Sequence, residues 1–219
     1  MKKRNQRQMC VSLGLLILFV LWTAAVRLFD VRPIGPNGSS VGFAALNGAV
    51  RELTGVHMAL YTVTDWLSLI PLFVAIGFAA LGLWQLIRRK SVFKVDYNII
   101  VPGGFYVLVM AVYLFFEAVV VNYRPVLIDG FLEASYPSST TVLVMCVIPT
   151  AMMQLHQRIG NKTVRVVVLV ALALFTVLMV LGRLMSGVHW VTDIIGGMLL
   201  SAGLVMLYDA VCKFRRFPA

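Results

Sequence analysis

Residues 182–197 read GRLMSGVHWVTDIIGG and lie between two long apolar runs of the chain. The ionisable residues in this stretch need a physical reason, because burying a charge in lipid is costly. His189 and Asp193 are four residues apart, a spacing that puts two side chains on one face of a helix. Asp193 can then orient the imidazole ring, and Arg183 offers a planar fork that suits phosphate oxygens.

Two interpretations of this stretch differ in function. In the first it is a phosphate site beside an activated histidine at a membrane surface, where Ser186 caps a helix whose amides at residues 187–189 bind the anion. In the second, His189 and Asp193 form a structural polar pair and Arg183 snorkels to the headgroups. Three ionisable residues at helical spacing favour the first interpretation.

The composition is typical of a membrane protein. The 219 residues are 60% hydrophobic and 13% charged. Apolar runs near the ~20 residues needed to cross a bilayer predict spans at about 11–29, 66–87, 99–121, 139–155, 164–182 and 189–211. The runs lack the alternation of barrel strands, so we expect an all-α bundle of six transmembrane helices forming one domain over residues 1–219. The four tryptophans, Trp22, Trp66, Trp84 and Trp190, are expected in the interfacial belts.

The basic residues predict an orientation. Alternate connections and both chain ends hold 14 of the 19 basic residues: Lys2, Lys3, Arg4, Arg7, Arg88, Arg89, Lys90, Lys94, Arg158, Lys162, Arg165, Lys213, Arg215 and Arg216. The positive-inside rule then puts both termini in the cytoplasm and His189 on the outward, extracytoplasmic face of the cell membrane, here taken as a bacterial inner or plasma membrane. The net charge of +10 reflects this topology and contact with anionic lipid, and does not indicate nucleic-acid binding.

The first 65 residues raise two further questions. Residues 1–25 resemble a signal peptide, but their apolar run is longer than a signal core, which favours a retained anchor. The outward segment of residues 30–65 begins with turns and continues with a short amphipathic helix at 41–53, whose apolar side holds Phe43, Leu46, Val50 and Leu53. Such a helix is expected to lie in the membrane interface.

Two more groups of polar residues fall on the predicted outward side. Arg124-Pro125 ends the third span, and Glu117 lies two turns inward, where we expect it to be paired with an arginine or protonated. Tyr136-Pro137-Ser138-Ser139-Thr140-Thr141 opens the fourth span. Capping explains one or two of the four hydroxyls from Ser138 to Thr141, and the run looks more like a phosphate cradle. Tyr136, Ser138 and Ser139 are the residues expected to contact the substrate.

In this order the three elements resemble the type 2 phosphatidic acid phosphatase (PAP2) superfamily. Its motifs are Lys-x6-Arg-Pro, Pro-Ser-Gly-His and Ser-Arg-x5-His-x3-Asp. The third motif is matched at Arg183, His189 and Asp193, with Gly182 at the serine position. The first two motifs depart from the pattern, because Glu117 stands at the lysine, Ser139 at the glycine and Thr140 at the histidine.

The resemblance implies roles for the matching residues. His189 resembles the nucleophile and Asp193 the residue that orients it, while Arg124 and Arg183 resemble the phosphate clamp. Ser138 and the amides beside it resemble the phosphate contacts of the second motif. Thr140 cannot act as the family's general acid near neutral pH, and Glu117 is the candidate replacement if it is buried enough to stay protonated.

These features predict a membrane lipid phosphatase with a phosphohistidine intermediate. A polyprenyl diphosphate is the favoured substrate, because its leaving group is itself a phosphate and needs an acid least. The alternatives are a catalytically degenerate protein that binds or transports lipid phosphates, and a transferase of phospho-headgroups between lipids. We expect neither a metal ion nor another cofactor, and the sequence leaves the oligomeric state open.

Overall fold

The computed structural model describes residues 2–214, which form eight α-helices. They are α1 (Lys2–Leu28), α2 (Ala44–Thr54), α3 (Met58–Leu67), α4 (Leu69–Arg89), α5 (Tyr97–Ala118), α6 (Ser139–Arg158), α7 (Lys162–Met185) and α8 (Val191–Phe214). Met1 and residues 215–219 lie outside the described residues, so Arg215 and Arg216 of the predicted basic end do too. Within residues 2–214, β-structure is limited to isolated bridges. The predicted all-α bundle with six apolar spans is confirmed.

The second span begins earlier than predicted. Helices α3 and α4 together form an apolar stretch from Met58 to Arg89, whereas the sequence placed its start at residue 66. The chain breaks between the two helices at Ser68, three residues before Pro71. A proline ring clashes with the carbonyl four residues earlier, here that of Leu67, which explains the position of the break. Helix α3 is therefore a separate element at one end of the span.

Helices α6 and α8 form the centre of the bundle. In their most apolar windows 56% and 50% of the residues are buried, against 6–22% in the other four spans. Helix α1 packs along α8, where the Ser12 hydroxyl donates to the Gly203 carbonyl at 2.8 Å. A Cβ atom on Gly203 would lie 2.8 Å from the Leu16 side chain, so the missing side chain permits this close approach. Gly203 thus serves close packing between α1 and α8.

Helix α2 packs on the protein through a partly polar face. It runs from Ala44 rather than Val41, and its buried residues are Ala44 and Asn47. The amide of Asn47 bonds the backbone N–H and the hydroxyl of Thr192 at the start of α8. On the predicted apolar side Phe43 stacks on Trp22, while Leu46 and Leu53 are exposed, as lipid contact in the interface would require.

One of the four tryptophans is not a belt residue. Trp190 is only 1% exposed, and its indole donates to the Tyr123 carbonyl at 2.7 Å. It cannot contact the headgroups, so the belt prediction was wrong for Trp190. Trp22 is partly buried and donates to the Thr192 carbonyl at 3.1 Å, and its belt position stays a prediction. Trp66 and Trp84 are exposed, as a belt position requires.

Candidate active site

The turn between α7 and α8 differs from the sequence prediction. Ser186 ends α7, and its hydroxyl donates back to the Arg183 carbonyl at 2.7 Å instead of capping a new helix. Gly187 has φ +66, and a Cβ atom there would lie 2.0 Å from the Gly55 carbonyl oxygen. This left-handed residue reverses the chain, so α8 begins only at Val191. The predicted anion site at the amides of residues 187–189 was therefore wrong, and His189 precedes the helix.

Asp193 is completely buried in the first turn of α8. One carboxylate oxygen accepts the backbone N–H of Trp190 at 2.9 Å, a reach-back bond typical of helix starts. The other accepts the side-chain amide of Asn122 at 3.3 Å. The positive end of the helix dipole also favours a carboxylate here. Asp193 is thus fixed by the protein before any substrate binds.

His189 is held as one tautomer by two acceptors. Its Nδ1 atom lies 3.1 Å from the Ser135 carbonyl oxygen and 3.7 Å from an Asp193 carboxylate oxygen. Because neither oxygen can donate, Nδ1 must carry the proton and Nε2 must present its lone pair. Arg124 Nη1 lies 3.4 Å from this Nε2. The expected pairing of His189 with Asp193 is longer than a hydrogen bond, and the Ser135 carbonyl makes the shorter contact.

Burial sets the protonation of His189. Desolvation lowers its pKa from 6.5 to about 4, with further lowering by the positive charges of Arg124 and Arg183, while the neighbouring Asp193 carboxylate opposes the shift. The imidazole is therefore neutral near pH 7. A neutral ring with Nε2 unprotonated is the form that can act as a nucleophile.

Arg124 is held by the loop between α5 and α6. Its backbone N–H donates to the Glu133 carbonyl at 3.0 Å, across a narrow turn that pairs Tyr123 with Ala134. Its Nε lies 3.0 Å from a Glu133 carboxylate oxygen. Arg124 is largely buried, yet it borders an open cavity. Glu133 thus orients one arginine of the site.

Arg183 is the second arginine and is only 2% exposed. Its terminal nitrogens lie 3.3 Å from the Thr64 hydroxyl and 3.3 Å from an Asp65 carboxylate oxygen. Its buried Nε has no hydrogen-bond partner within residues 2–214. A buried donor left without a partner is costly, so this guanidinium is suited to receiving another acceptor.

A cavity of about 310 Å³ joins these groups at one end of the bundle. It contains most of the predicted site residues: Glu117, Arg124, Tyr136, Ser139, Thr140, Arg183 and His189. Below them it continues between α4, α5 and α6 along apolar side chains such as Leu72, Met110 and Val147. Polar groups at one end and an apolar path toward the bilayer centre suit a lipid with a polar head.

Ser138 and Asp193, although predicted as site residues, do not line the cavity. Ser138 is fully buried; its amide donates to the Asp193 carbonyl at 3.2 Å, and its hydroxyl accepts that of Thr141 at 3.0 Å. The Tyr136 ring does border the cavity, but its hydroxyl bonds Thr23 at 2.7 Å. These contacts connect Ser138 and Tyr136 to the scaffold around the site.

A larger cavity, of about 660 Å³, lies at the opposite end of the bundle. Gln154, Tyr208, Asp209 and Lys213 are among its lining residues, and none of the described lining residues is an arginine. The smaller cavity therefore holds the chemistry of interest, since it combines the two arginines with the neutral histidine.

Comparison with known proteins matches residues 117–216 to the PAP2 superfamily. Just under half of the chain, in its C-terminal part, therefore resembles the PAP2 superfamily. The matched region contains α6, α7, α8 and the loop that carries Arg124. It therefore includes every site residue that the sequence predicted.

A solved structure has the same fold as this chain. It is a transmembrane PAP2-type phosphatidylglycerolphosphate phosphatase from Bacillus subtilis, similar to this chain with a TM-score of 0.61 and 20% identity. The alignment covers 94% of this chain and 98% of the other. No curated protein matches the chain. The likeness extends the shared fold to helices α1 to α5, most of which lie outside the matched family region.

Glu117 stands where the PAP2 pattern that the chain resembles has a lysine. It is exposed and lines the cavity. In the described part of the chain Arg124 pairs with Glu133 and Arg183 with Asp65. Of the two states expected for Glu117, pairing with an arginine is therefore not found among residues 2–214, and a protonated carboxyl stays untested.

Several residues of this site were not predicted from the sequence. Asn122 and Ser135 hold Asp193 and His189, Glu133 holds Arg124, and Tyr61 and Asp65 contact Arg183. Asp65 carried a usable signal, since it is an acid beside an apolar run on the predicted outward side. The role of Ser135 could not be predicted from its residue type, because the contact with His189 is made by the backbone carbonyl.

Proposed function

We propose that this protein removes phosphate from a lipid phosphate or diphosphate, with a polyprenyl diphosphate favoured, through a phosphohistidine at His189. The match of residues 117–216 to the PAP2 superfamily supports a lipid phosphate phosphatase in general. One observation carries the finer proposal: the neutral His189 presents its Nε2 lone pair beside Arg124, in a cavity that Arg183 also lines. Binding alone does not need such an oriented nucleophile.

In the first step, His189 Nε2 attacks the terminal phosphorus. The new N–P bond forms as the P–O bond to the leaving group breaks, and the leaving oxygen keeps the electron pair. Arg124 and Arg183 bind the phosphate oxygens and offset the charge that builds up on them. The positive charge on the imidazole is stabilised at Nδ1–H by Asp193 and the Ser135 carbonyl.

In the second step, water attacks the phosphohistidine. The N–P bond breaks, its electron pair returns to Nε2, and inorganic phosphate leaves. Glu117 is the exposed cavity carboxylate available to take the proton of the attacking water. We assign it this role as a base in place of the acid role considered from the sequence. Ser139 is the cradle residue left to contact the phosphate.

Thr140 is the reason for favouring a diphosphate. It lines the cavity at the start of α6, where its hydroxyl is far too weak an acid to protonate an alkoxide near neutral pH. When the substrate is a lipid diphosphate, the leaving group is a lipid monophosphate. This group is stable as an anion and does not need a proton from a general acid. The departure from the family pattern therefore restricts the substrate while leaving the nucleophile in place.

The orientation completes the proposal. The basic connections lie at the end of the bundle opposite the cavity, so the positive-inside rule puts the termini in the cytoplasm and the cavity at the extracytoplasmic face. Membrane-impermeant labelling of single cysteines at residues 57 and 160 of intact cells tests this. Labelling of 160 alone would reverse the orientation.

The test of the function is phosphate release by the purified protein in detergent, on a polyprenyl diphosphate and a phosphatidic acid. We expect release from the diphosphate at least about tenfold faster in kcat/KM, because the general acid that an alkoxide needs is missing. Faster release from phosphatidic acid would mean that another group supplies the acid. No release from either, with inorganic phosphate still bound, would favour the binding or transport alternative.

The pH dependence of kcat/KM should show that His189 stays neutral down to acidic pH. We expect the acidic limb of kcat/KM that belongs to His189 at about pH 4, because the lone pair is lost only as pH falls through the lowered pKa. The same pKa shift makes a contribution to the free energy of unfolding that is fully present above pH 6.5 and is lost as the pH falls toward 4. Unfolding is therefore measured at each pH together with the rate. An acidic limb near 6.5 in protein that stays folded would contradict the burial of His189.

The charge balance of the cavity favours headgroup transfer as a second candidate. Arg124 and Arg183 are already paired with Glu133 and Asp65, and Glu117 adds a carboxylate that lines the cavity. A zwitterionic phospho-headgroup would put its phosphate on the arginines and its amine near Glu117. Appearance of the headgroup of phosphatidylethanolamine on an added lipid alcohol, with no free phosphate formed, would establish this reaction.

A further inference from the structure

Helix α3 lies outside the matched family region yet makes most of the protein contacts of Arg183. The guanidinium donates to the Tyr61 carbonyl at 3.4 Å as well as to Thr64 and Asp65. All three partners come from one stretch of ten residues, Met58–Leu67. The position of Arg183 therefore depends on how closely α3 approaches α7.

The Tyr61 ring contacts both arginines of the site. Its centroid lies 4.9 Å from the Arg183 guanidinium carbon and 5.9 Å from that of Arg124. Two like charges near one another repel when no phosphate is bound. The negative face of an aromatic ring attracts both cations within about 6 Å, and so opposes that repulsion.

Gly182 explains how α3 comes so close. A Cβ atom at this position would lie 2.7 Å from the Thr64 methyl carbon. Thr64 is 3% exposed, so it has little room to move away. The glycine that stands at the serine position of the family motif therefore makes space for the helix that carries Tyr61.

The connection before α3 is docked in the same manner. The His57 backbone N–H donates to the Ser186 carbonyl at 2.9 Å, and Gly187 packs directly on the Gly55 carbonyl. Gly182 and Gly187 thus leave space for α3 and for the connection between α2 and α3 to pack closely. The contact fixes the start of α3 against the turn that leads to His189.

From these contacts we infer that Tyr61 is a positioning residue of the phosphate site, holding the guanidinium groups of Arg124 and Arg183 together so that both bind one phosphate. Gly182 is the residue that lets α3 take this place. The inference rests on the proposed function only in identifying the ligand as a phosphate. Tyr61 itself needs no contact with the substrate.

The first test compares Tyr61→Leu with Tyr61→Phe, using binding of inorganic phosphate to the protein in detergent. Leucine removes the ring, and we expect the Kd for phosphate to rise about tenfold, while phenylalanine keeps the ring and should stay within about threefold. Where turnover is measurable, KM should rise with the Kd in the leucine variant. A merely structural role would lower the melting temperature and leave the phosphate Kd of the folded fraction unchanged.

The second test uses the contact between Gly182 and Thr64. Gly182→Ala should weaken phosphate binding by pushing α3 away, and adding Thr64→Ser should restore it, because serine keeps the hydroxyl and removes the methyl group that collides. Gly203→Ala is the matched control: it creates a similar collision with Leu16 between α1 and α8. It should lower stability without changing the Kd.

The outcomes separate this inference from the proposed function. Phosphate binding that depends on Tyr61 and Gly182, in a protein with no hydrolysis, would leave the inference standing and reject the phosphatase. Hydrolysis with a phosphate Kd unchanged in Tyr61→Leu and Gly182→Ala would reject the inference and keep the phosphatase.

Discussion

Replacing His189 with alanine is expected to lower phosphate release by at least about 10³-fold, the largest effect of any single substitution in this protein. The loss follows from the geometry, since Nε2 is the one unprotonated ring nitrogen that faces the arginines. The remaining site can still bind phosphate, because Arg124 and Arg183 are unchanged. The measurement is the rate of phosphate release beside the phosphate Kd.

His57→Ala is the matched control for this prediction. His57 is also a histidine before a helix, but it is exposed, bonds the Thr54 carbonyl and does not line the cavity. Its replacement should leave the rate within about twofold. Retention of more than about a tenth of the wild-type rate in His189→Ala would reject the phosphohistidine mechanism. Trapping an acid-labile phosphate on wild-type protein, absent from His189→Ala, would identify the bond directly.

The sequence predicted the membrane fold because apolar length is a local property. Each span could be found from its own residues, and the bounds of the actual helices lie within a few residues of the expected ones except at the starts of α1 and α3. At α3 the prediction failed because Thr64 and Asp65 interrupt the apolar pattern. Thr64, which is buried, and Asp65, which is exposed, both bond Arg183, which is more than 100 residues away in the chain.

The chemistry of the site was predictable to the extent that side-chain type determines it. Arg183, His189 and Asp193 stood out as ionisable residues beside apolar runs. The direction of the turn was not predictable, because Gly187 in the left-handed region depends on its contact with Gly55. The burial of Trp190 was not predictable either, because in the sequence a buried tryptophan at the end of a span looks like an interfacial one. Tertiary contacts determine the conformation of Gly187 and the burial of Trp190.

Exchanging Thr140 for histidine should give this protein a general acid that its sequence lacks. Thr140 lines the cavity with Arg124, Arg183 and His189, so an imidazole there can reach the leaving oxygen. We expect kcat/KM for phosphatidic acid to rise by about 10²-fold, at the lower end of what a general acid contributes. For a polyprenyl diphosphate the rise should be less than about tenfold, because its leaving group needs little protonation.

Thr140→Gln separates acid chemistry from side-chain size. Glutamine has a volume close to that of histidine and is polar, but it cannot deliver a proton, so it should not accelerate either substrate. The histidine variant should also gain a new alkaline limb in its pH profile, since the added imidazole must be protonated to act. An equal gain on both substrates, or no gain in a variant that is folded and binds phosphate, would mean that Thr140 does not face the leaving group. The preference for diphosphates would then need a cause other than the missing acid.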